Sequence, residues 1–466
     1  MKNKDKEYLR SVPEYIDFNE EVTQMLIDSV TVYDQALYFL RQEYFRCRDL
    51  NWAESPSYPS KYDLMELTKV CDKVAASKLD INVKKDIVFQ AHSDWTSWIK
   101  AKNDYKVHPE KYLSEPKMPR YKYRHSTYNT VTIDKTRFRG DRENEIKLPC
   151  SDIYIRVPDC IKKEWVVMLK IKCVYGKFKV NFVYDNNLKY LDKISKNEAI
   201  KHLSDENTNE GFLGLDLGLK NLVTGVTYNC EENKSFIIRG TELKQVIRQT
   251  NFKLAHLQSQ AVLCANAEIT KVSKKDGLIK LYKNSKLMNS LWKYYNDFSE
   301  NYMHNISRMI IDFCLENCIR KIVVGKNDGW KQESVMSSET NKIFCSIRHA
   351  VLIDYLKYKC KDAGIELVVT EESYTSKCDH LVAESMEHHE KYLGKRLKRG
   401  LFVSSYKKKR INADCNGAIG MLRKENIIRD ADCVSLLDRG DIVAPVVMNA
   451  RGFCLPKQAV RKDFID

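Results

Sequence analysis

The segment Gly211-Phe212-Leu213-Gly214-Leu215-Asp216-Leu217-Gly218-Leu219-Lys220 sets a single acid in an otherwise apolar run that turns on glycine. Alternate residues of a strand face opposite ways, so a run that is apolar on both faces belongs inside a sheet. A carboxylate there is costly unless a cation neutralises it, and a divalent metal bound by hard oxygen ligands does so. A second acid lies far along the chain in Ile411-Asn412-Ala413-Asp414-Cys415-Asn416-Gly417-Ala418, where small residues open a helix. Asp216 and Asp414 are therefore the first candidate metal ligands.

With 466 residues and 43% hydrophobic content, the chain is long enough for two or three domains with cores of their own. Its 78 basic residues outnumber 63 acidic ones, a formal charge of +15 that makes a polyanion the first partner to consider. The 15 cysteines are odd in number and scattered, without a Cys-x-x-Cys pair, and Met1-Lys2-Asn3-Lys4-Asp5-Lys6 does not open a secretory signal. Reduced thiols in a cytoplasmic, unsecreted protein are expected, associated with the nucleoid in a prokaryote. Cys314 and Cys318 stand at helical spacing, where burial is expected. No apolar run approaches the ~18 residues of a membrane helix, so no membrane partner is expected.

Residues 31–115 carry helical periodicity, as in Tyr33, Ala36, Leu37 and Leu40, or Ile87, Val88, Ala91, Trp95 and Trp98. Beyond Pro116 and Pro119 the signals are strands, clearest in Glu164–Val174 and Lys177–Tyr184 joined at Tyr175-Gly176. In the second strand Phe178, Val180, Phe182 and Tyr184 alternate with Lys177 and Lys179, giving one apolar and one basic face. That basic face suits a nucleic-acid backbone, or is simply solvated. Residues 186–210 read as a polar linker. After Asp216 come strands at Leu222–Tyr228 and Ser235–Arg239 and a helical hairpin over 241–318. The second helix of that hairpin aligns Leu287, Leu291, Tyr294, Phe298, Tyr302, Ile306, Met309 and Phe313 as core packing. Arg320–Val324 and Gly364–Thr370 are short strands around a helix at Ile343–Cys360, and Lys326–Lys331 is a surface loop. A meander followed by strand-helix-strand is an RNase H-like order.

On the contexts of Asp216 and Asp414, residues 206–425 resemble the TnpB family of transposon-encoded RNA-guided nucleases, related to the type V CRISPR effectors and the Fanzor proteins. The resemblance implies a multidomain α/β protein. It would have an RNase H-like RuvC nuclease domain at 206–466 and a wedge-like β-barrel at 1–30 and 116–205. A helical recognition insert would occupy 31–115. It also implies a site of acids around one or two Mg²⁺ ions. In most of that family the strand after the helical hairpin ends in glutamate, whereas here it reads Ile322-Val323-Val324-Gly325-Lys326-Asn327. Gly325 supplies no ligand, and aligning Thr375-Ser376-Lys377 puts Glu372 at the glutamate that takes over this role in divergent relatives. Glu371 is the fallback, since neighbouring strand residues face opposite ways.

The family often carries a zinc ribbon after that segment, but here only Cys378 and His380 stand at its first knuckle and His388-His389 are adjacent, so no zinc is expected. A basic insert at about 373–412 takes its place, with Lys395, Arg396, Lys398, Arg399, Lys407, Lys408, Lys409 and Arg410 either placed to hold DNA or forming simply a flexible basic loop. A second segment interleaves rings and cations in Arg120, Tyr121, Lys122, Tyr123, Arg124, Arg137 and Arg139, a pattern for RNA contact. Implied by the resemblance are a guide RNA, a double-stranded DNA target found beside a short motif, and a monomeric ribonucleoprotein. A nuclease-dead, repressor-like relative and a CRISPR-associated effector are the alternatives.

Overall fold

The computed structural model describes residues 9–51, 55–122, 127, 129–140, 142–186, 210–263, 271–273, 277–279, 285–326, 337–398 and 400–448. The chain divides into two compact units, Met1–Lys196 and Asn197–Asp466. The expected linker and most of the loop after Lys326 lie outside the described residues.

The first unit runs β1 (Leu9–Ile16), α1 (Glu20–Asp49), α2 (Lys61–Lys69), α3 (Asp72–Ala75), α4 (Ile81–Val107), β2 (Thr130–Asp134), β3 (Glu145–Lys147), β4 (Tyr154–Arg156), β5 (Val166–Val174) and β6 (Lys177–Asp185). Asn19 caps α1 by accepting from the Val22 N–H at 3.1 Å, so helix begins ahead of residue 31, where periodicity alone places the start of the helical insert. Leu26, Leu37, Leu40, Val88, Ala91 and Trp95 form the core between α1 and α4. The strands make an antiparallel sheet in the order β1-β6-β5-β2, with β3 and β4 a separate ribbon. Tyr175 (φ 55) and Gly176 (φ 74) both adopt the left-handed region, as a two-residue hairpin between right-twisted strands requires. Phe178, Val180, Phe182 and Tyr184 are buried as their alternation predicts.

The second unit runs β7 (Gly211–Leu217), β8 (Asn221–Tyr228), β9 (Ser235–Arg239), α5 (Thr241–Leu263), β10 (Lys271–Ser273), β11 (Gly277–Ile279), α6 (Lys286–Glu316), β12 (Ile319–Gly325), α7 (Ser338–Ser346), α8 (His349–Asp362), β13 (Glu366–Thr370), β14 (Lys395–Lys398), β15 (Leu401–Val403), β16 (Arg410–Ile411), α9 (Ala413–Lys424) and β17 (Val446–Met448). Its main sheet has the order β13-β12-β7-β8-β9-β17. β7, β8 and β9 form the antiparallel meander, and β12 and β13 run parallel to β7. This is the RNase H-like order, extended by β17 on β9, a strand of which the sequence carries no sign. Phe298, Tyr302 and Ile306 of α6 are buried, while Leu287 is exposed and Met288, Met303 and Ile310 take the core instead. Cys314 is buried, but Cys318 is exposed because α6 ends at Glu316 and Cys318 turns the chain at φ 51. α9 lies directly on β7: a Cβ at Gly214 would sit 2.9 Å from Leu422 Cγ and overlap the Ala418 carbonyl.

Candidate active site

Three elements of the second unit deliver one acid each to a cleft of about 560 Å³ lined by Asp216, Asn221, Glu372, Arg396, Lys398 and Asp414. Asp216 is the penultimate residue of β7. Asp414 occupies the first turn of α9, which Asn412 caps by accepting from the N–H groups of Asp414 at 2.9 Å and Cys415 at 3.3 Å. Close packing of α9 brings the two together, since a Cβ at Gly417 would stand 2.9 Å from Asp216 Oδ2.

Glu372 follows β13, in a turn where its carbonyl accepts from Thr375 Oγ1 at 2.8 Å. Its side chain lies over Gly325, the last residue of the neighbouring β12. A Cβ at Gly325 would lie 2.7 Å from Glu372 Oε1 and 2.6 Å from Met421 Cε. Gly325 therefore does more than lack a ligand: the space a side chain there would need is filled by the side chain of Glu372. Glu371 is exposed and is held by its backbone, whose carbonyl accepts from Lys424 Nζ at 2.7 Å.

The charges crowd one another. Burial, then the neighbouring Glu372 and Asp414 carboxylates, push Asp216 well above the usual carboxylate range, opposed only in part by the Arg396 guanidinium. Burial also raises Glu372 to about 7, with Lys424 pulling the other way. Both oxygens of Asp414 have partners: Oδ2 accepts from Asn221 Nδ2 at 2.7 Å and Oδ1 from Arg396 at 3.2 Å. Neither partner is visible in the sequence, because Asn221 sits on β8 and Arg396 belongs to a stretch whose composition points only to DNA. Among the described residues no three His, Cys, Asp or Glu side chains converge closely enough to hold a metal ion as they stand. The donor set still fits one, since three hard-oxygen acids around one cleft, two resisting ionisation, are what a divalent cation relieves.

The remaining basic residues divide by environment. Lys395, Arg396 and Lys398 are exposed along β14, Arg410 is exposed on β16, and Lys407 and Lys408 turn the chain between β15 and β16 at φ 45 and 52. Lys409 is half-buried there, and Arg399 lies outside the described residues, as do Tyr123 and Arg124. In the first unit Arg120 is exposed, but Lys122 turns inward. Its Nζ donates to Asn129 Oδ1 at 2.6 Å and lies 4.0 Å from the centre of the Tyr33 ring, and burial lowers its pKa. Tyr121 packs under the Arg41 guanidinium at 4.8 Å, Arg137 pairs with Asp80 at 3.7 Å, and Arg139 donates to the carbonyls of Thr136 and Phe138. Lys179 stands directly opposite Lys172 across β5 and β6, with Lys170 opposite Asn181 on the same face. Facing like charges destabilise a sheet, so Lys170 and Lys172 belong with Lys177 and Lys179 as a surface suited to an anion. Cys378 Sγ donates to the Ser385 carbonyl at 3.3 Å. His380 is buried and neutral, its pKa lowered to about 4 by burial and by Arg423.

A sequence family described as "Cas12f1-like, TNB domain" matches residues 349–421, which span α8, β13, the insert and the start of α9. That segment is similar to a type V effector family. The resemblance to the TnpB and type V family is thereby borne out in the region that supplies Glu372 and Asp414. Solved structures are similar at low scores. A Cas12f1–sgRNA–target DNA complex is 13% identical over 89% of this chain and 98% of that chain, at a TM-score of 0.32. The mini-RNA-guided endonuclease CRISPR-Cas_phi3 is 11% identical over 89% and 92%, at 0.44. No curated protein matches the chain.

Proposed function

We propose that this effector-like chain is an RNA-guided DNA endonuclease whose acid cleft hydrolyses phosphodiester bonds in a target that base pairing to a guide RNA has selected. The observation that carries the reading is the fit of Glu372 into the space left by Gly325, which returns a third acid to a cleft already holding Asp216 and Asp414. Asp216, Glu372 and Asp414 would hold Mg²⁺, which supplies Lewis-acid polarisation and charge neutralisation when bound. Around it, Asn221 orients Asp414 through one oxygen, and Arg396 holds the other until the cleft is filled. Lys398 and Arg396 on β14 give the cleft a cationic wall against which a DNA backbone would lie. The basic sheet face of Lys170, Lys172, Lys177 and Lys179 is proposed to take guide RNA. The working form is proposed to be a monomeric ribonucleoprotein in the cytoplasm.

The second reading is a nuclease-dead RNA-guided DNA-binding protein. What favours it is that Asp414 is satisfied by Asn221 and Arg396 and that the acids do not converge as they stand. The source of the guide, transposon or CRISPR array, leaves the chemistry unchanged. Protein copurified with its RNA should cut double-stranded DNA matching that RNA only when Mg²⁺ is supplied. Asp216→Ala and Asp414→Ala should each abolish cutting while guided DNA binding stays near wild type. Guided binding without cutting by the wild-type chain would establish the second reading, and an absence of copurifying RNA would remove both.

A further inference from the structure

The insert between β13 and α9 is held by two carboxylates that the proposed chemistry does not use. Asp379 has no solvent exposure. It accepts from Ser404 Oγ at 2.8 Å, from the Ser405 N–H and hydroxyl at 2.7 and 3.0 Å, and from the Leu381 N–H at 3.3 Å. Glu384, also buried, accepts from the N–H groups of Asp379 at 2.6 Å and Leu393 at 2.7 Å. Leu393 stands just before β14 and Ser404 immediately after β15. Both ends of the β14–β15 hairpin are thus fastened to one linked pair of acids, and Gly394 passes so close that a Cβ there would lie 3.1 Å from Asp379 Cβ.

The same pair is fixed to the helix that carries Asp414. Asn416 Nδ2 of α9 donates to the Cys378 carbonyl at 2.8 Å. His380 donates from Nε2 to the Thr375 carbonyl at 2.7 Å and accepts at Nδ1 from Arg423 of α9 at 2.9 Å. Further along the hairpin Arg396 reaches Asp414, and Lys398 lines the cleft. A chain of buried bonds therefore runs from α9 through the two acids to the strand that faces the cleft.

We infer that Asp379 and Glu384 form a metal-free clasp that positions the β14–β15 hairpin, and with it Arg396 and Lys398, against the acid cleft. As to its consequence for cutting, the inference rests on the endonuclease reading. The physics is that of a small insert with little core of its own, in which a buried carboxylate collecting several donors replaces the crosslink that such folds otherwise draw from a metal. Asp379 is a positioning residue. Removing its carboxylate leaves the buried Ser404 and Leu381 donors without an acceptor, while those of the exposed Ser405 turn to water, and freeing the strand ends is cheaper than leaving the buried donors unpaired.

Hydrogen exchange of the whole chain, free of nucleic acid, tests the clasp directly. Asp379→Ala should speed exchange about tenfold or more in peptides covering 393–405, while peptides from β7 and from α1 keep their wild-type rates. Ser404→Ala, which removes one donor and leaves the carboxylate, should act in the same peptides to a smaller extent and serves as the readout if Asp379→Ala fails to fold. In the guided reaction, Asp379→Ala should lower the single-turnover cutting rate much more than it weakens DNA binding. Unchanged exchange over 393–405 in both variants overturns the clasp. So does stoichiometric zinc in the wild-type chain whose removal reproduces the Asp379→Ala pattern. If the exchange pattern appears as expected but the wild-type chain does not cut, the clasp stands and the endonuclease reading falls.

Discussion

Replacing Gly325 by alanine adds one methyl group at the point where the site has no room for it. The new Cβ would lie 2.6 Å from Met421 Cε and 2.7 Å from Glu372 Oε1, about 1 Å inside the ~3.5 Å at which such atoms normally touch. β12 cannot retreat, because it is paired to β7 on one side and β13 on the other. The Glu372 backbone is pinned as well, through its carbonyl and Thr375. The side chain of Glu372 is what must move, by roughly 1 Å, and a reacting group misplaced by that distance costs about 100-fold in rate. The overpacking itself should cost about 1–3 kcal/mol of stability. Single-turnover cleavage with saturating guide and Mg²⁺, beside calorimetric Mg²⁺ titration and a melting curve, separates the two effects. Gly325→Ala should be folded, slow and weak in Mg²⁺ binding. Moving the acid by combining Gly325→Glu with Glu372→Gly should restore activity above either single variant. A Gly325→Ala protein that binds Mg²⁺ and cuts like wild type would refute the placement of Glu372 in the site.

Glu372→Gln should abolish cutting and Glu371→Gln should leave it near wild type, since the second side chain is exposed and only its backbone is engaged; the reverse order of rates would shift the ligand by one residue. With Glu372 raised to about 7 from an ordinary 4.5, the folded chain holds a proton that the unfolded chain releases. Metal-free stability should therefore fall as pH rises from 4.5 to 7, with Glu372 contributing about 3 kcal/mol when complete, and Glu372→Gln should lessen that slope in denaturant titrations while the share of Asp216, also raised, remains. Mg²⁺ affinity should rise through the same window, by up to about tenfold per pH unit for each proton displaced, with Asp216 adding to the rise that Glu372 gives; a calorimetric titration flat from about pH 5.5 to 7 counts against the assignment. Changing Lys170, Lys172, Lys177 and Lys179 together to Gln should weaken RNA retention and flatten its salt dependence, by about 0.7–0.9 in log–log slope for each phosphate no longer neutralised; an unchanged slope would leave the face merely solvated.

The fold was legible wherever burial writes a period into the chain. The alternation from Phe178 to Tyr184 and the order of β7, β8, β9, β12 and β13 follow from apolar runs punctuated by turns. What escaped has physical reasons. Val446–Met448 is too short to carry a period, and it pairs as a strand only because β9 offers an open edge. α1 starts at Glu20 on the strength of a cap at Asn19, and Glu20-Glu21 suit the positive end of a helix without any apolar signal. Lys122 reads in sequence as a ligand for RNA because composition does not tell an outward lysine from one folded back on Tyr33.

At the site, the acids were legible and their surroundings were not. Asp216 and Asp414 stand out because a charge in an apolar context is rare, whereas Asn221 and Arg396 are ordinary surface types until the fold brings one from β8 and the other from β14 onto the same carboxylate. Gly325 is the instructive case. In sequence it registers as a missing ligand, and a loss of function is the direct reading of a glycine where relatives keep glutamate. In the fold the same glycine is the condition for Glu372 to lie where it does, because neighbouring parallel strands end side by side and their two side chains compete for one volume. A glutamate at 325 and another at 372 could not both occupy it. The exchange is thus reciprocal: an acid can reach the cleft from β13 only if β12 gives up its side chain, so Gly325 and Glu372 should be read together and neither taken alone as evidence for or against activity.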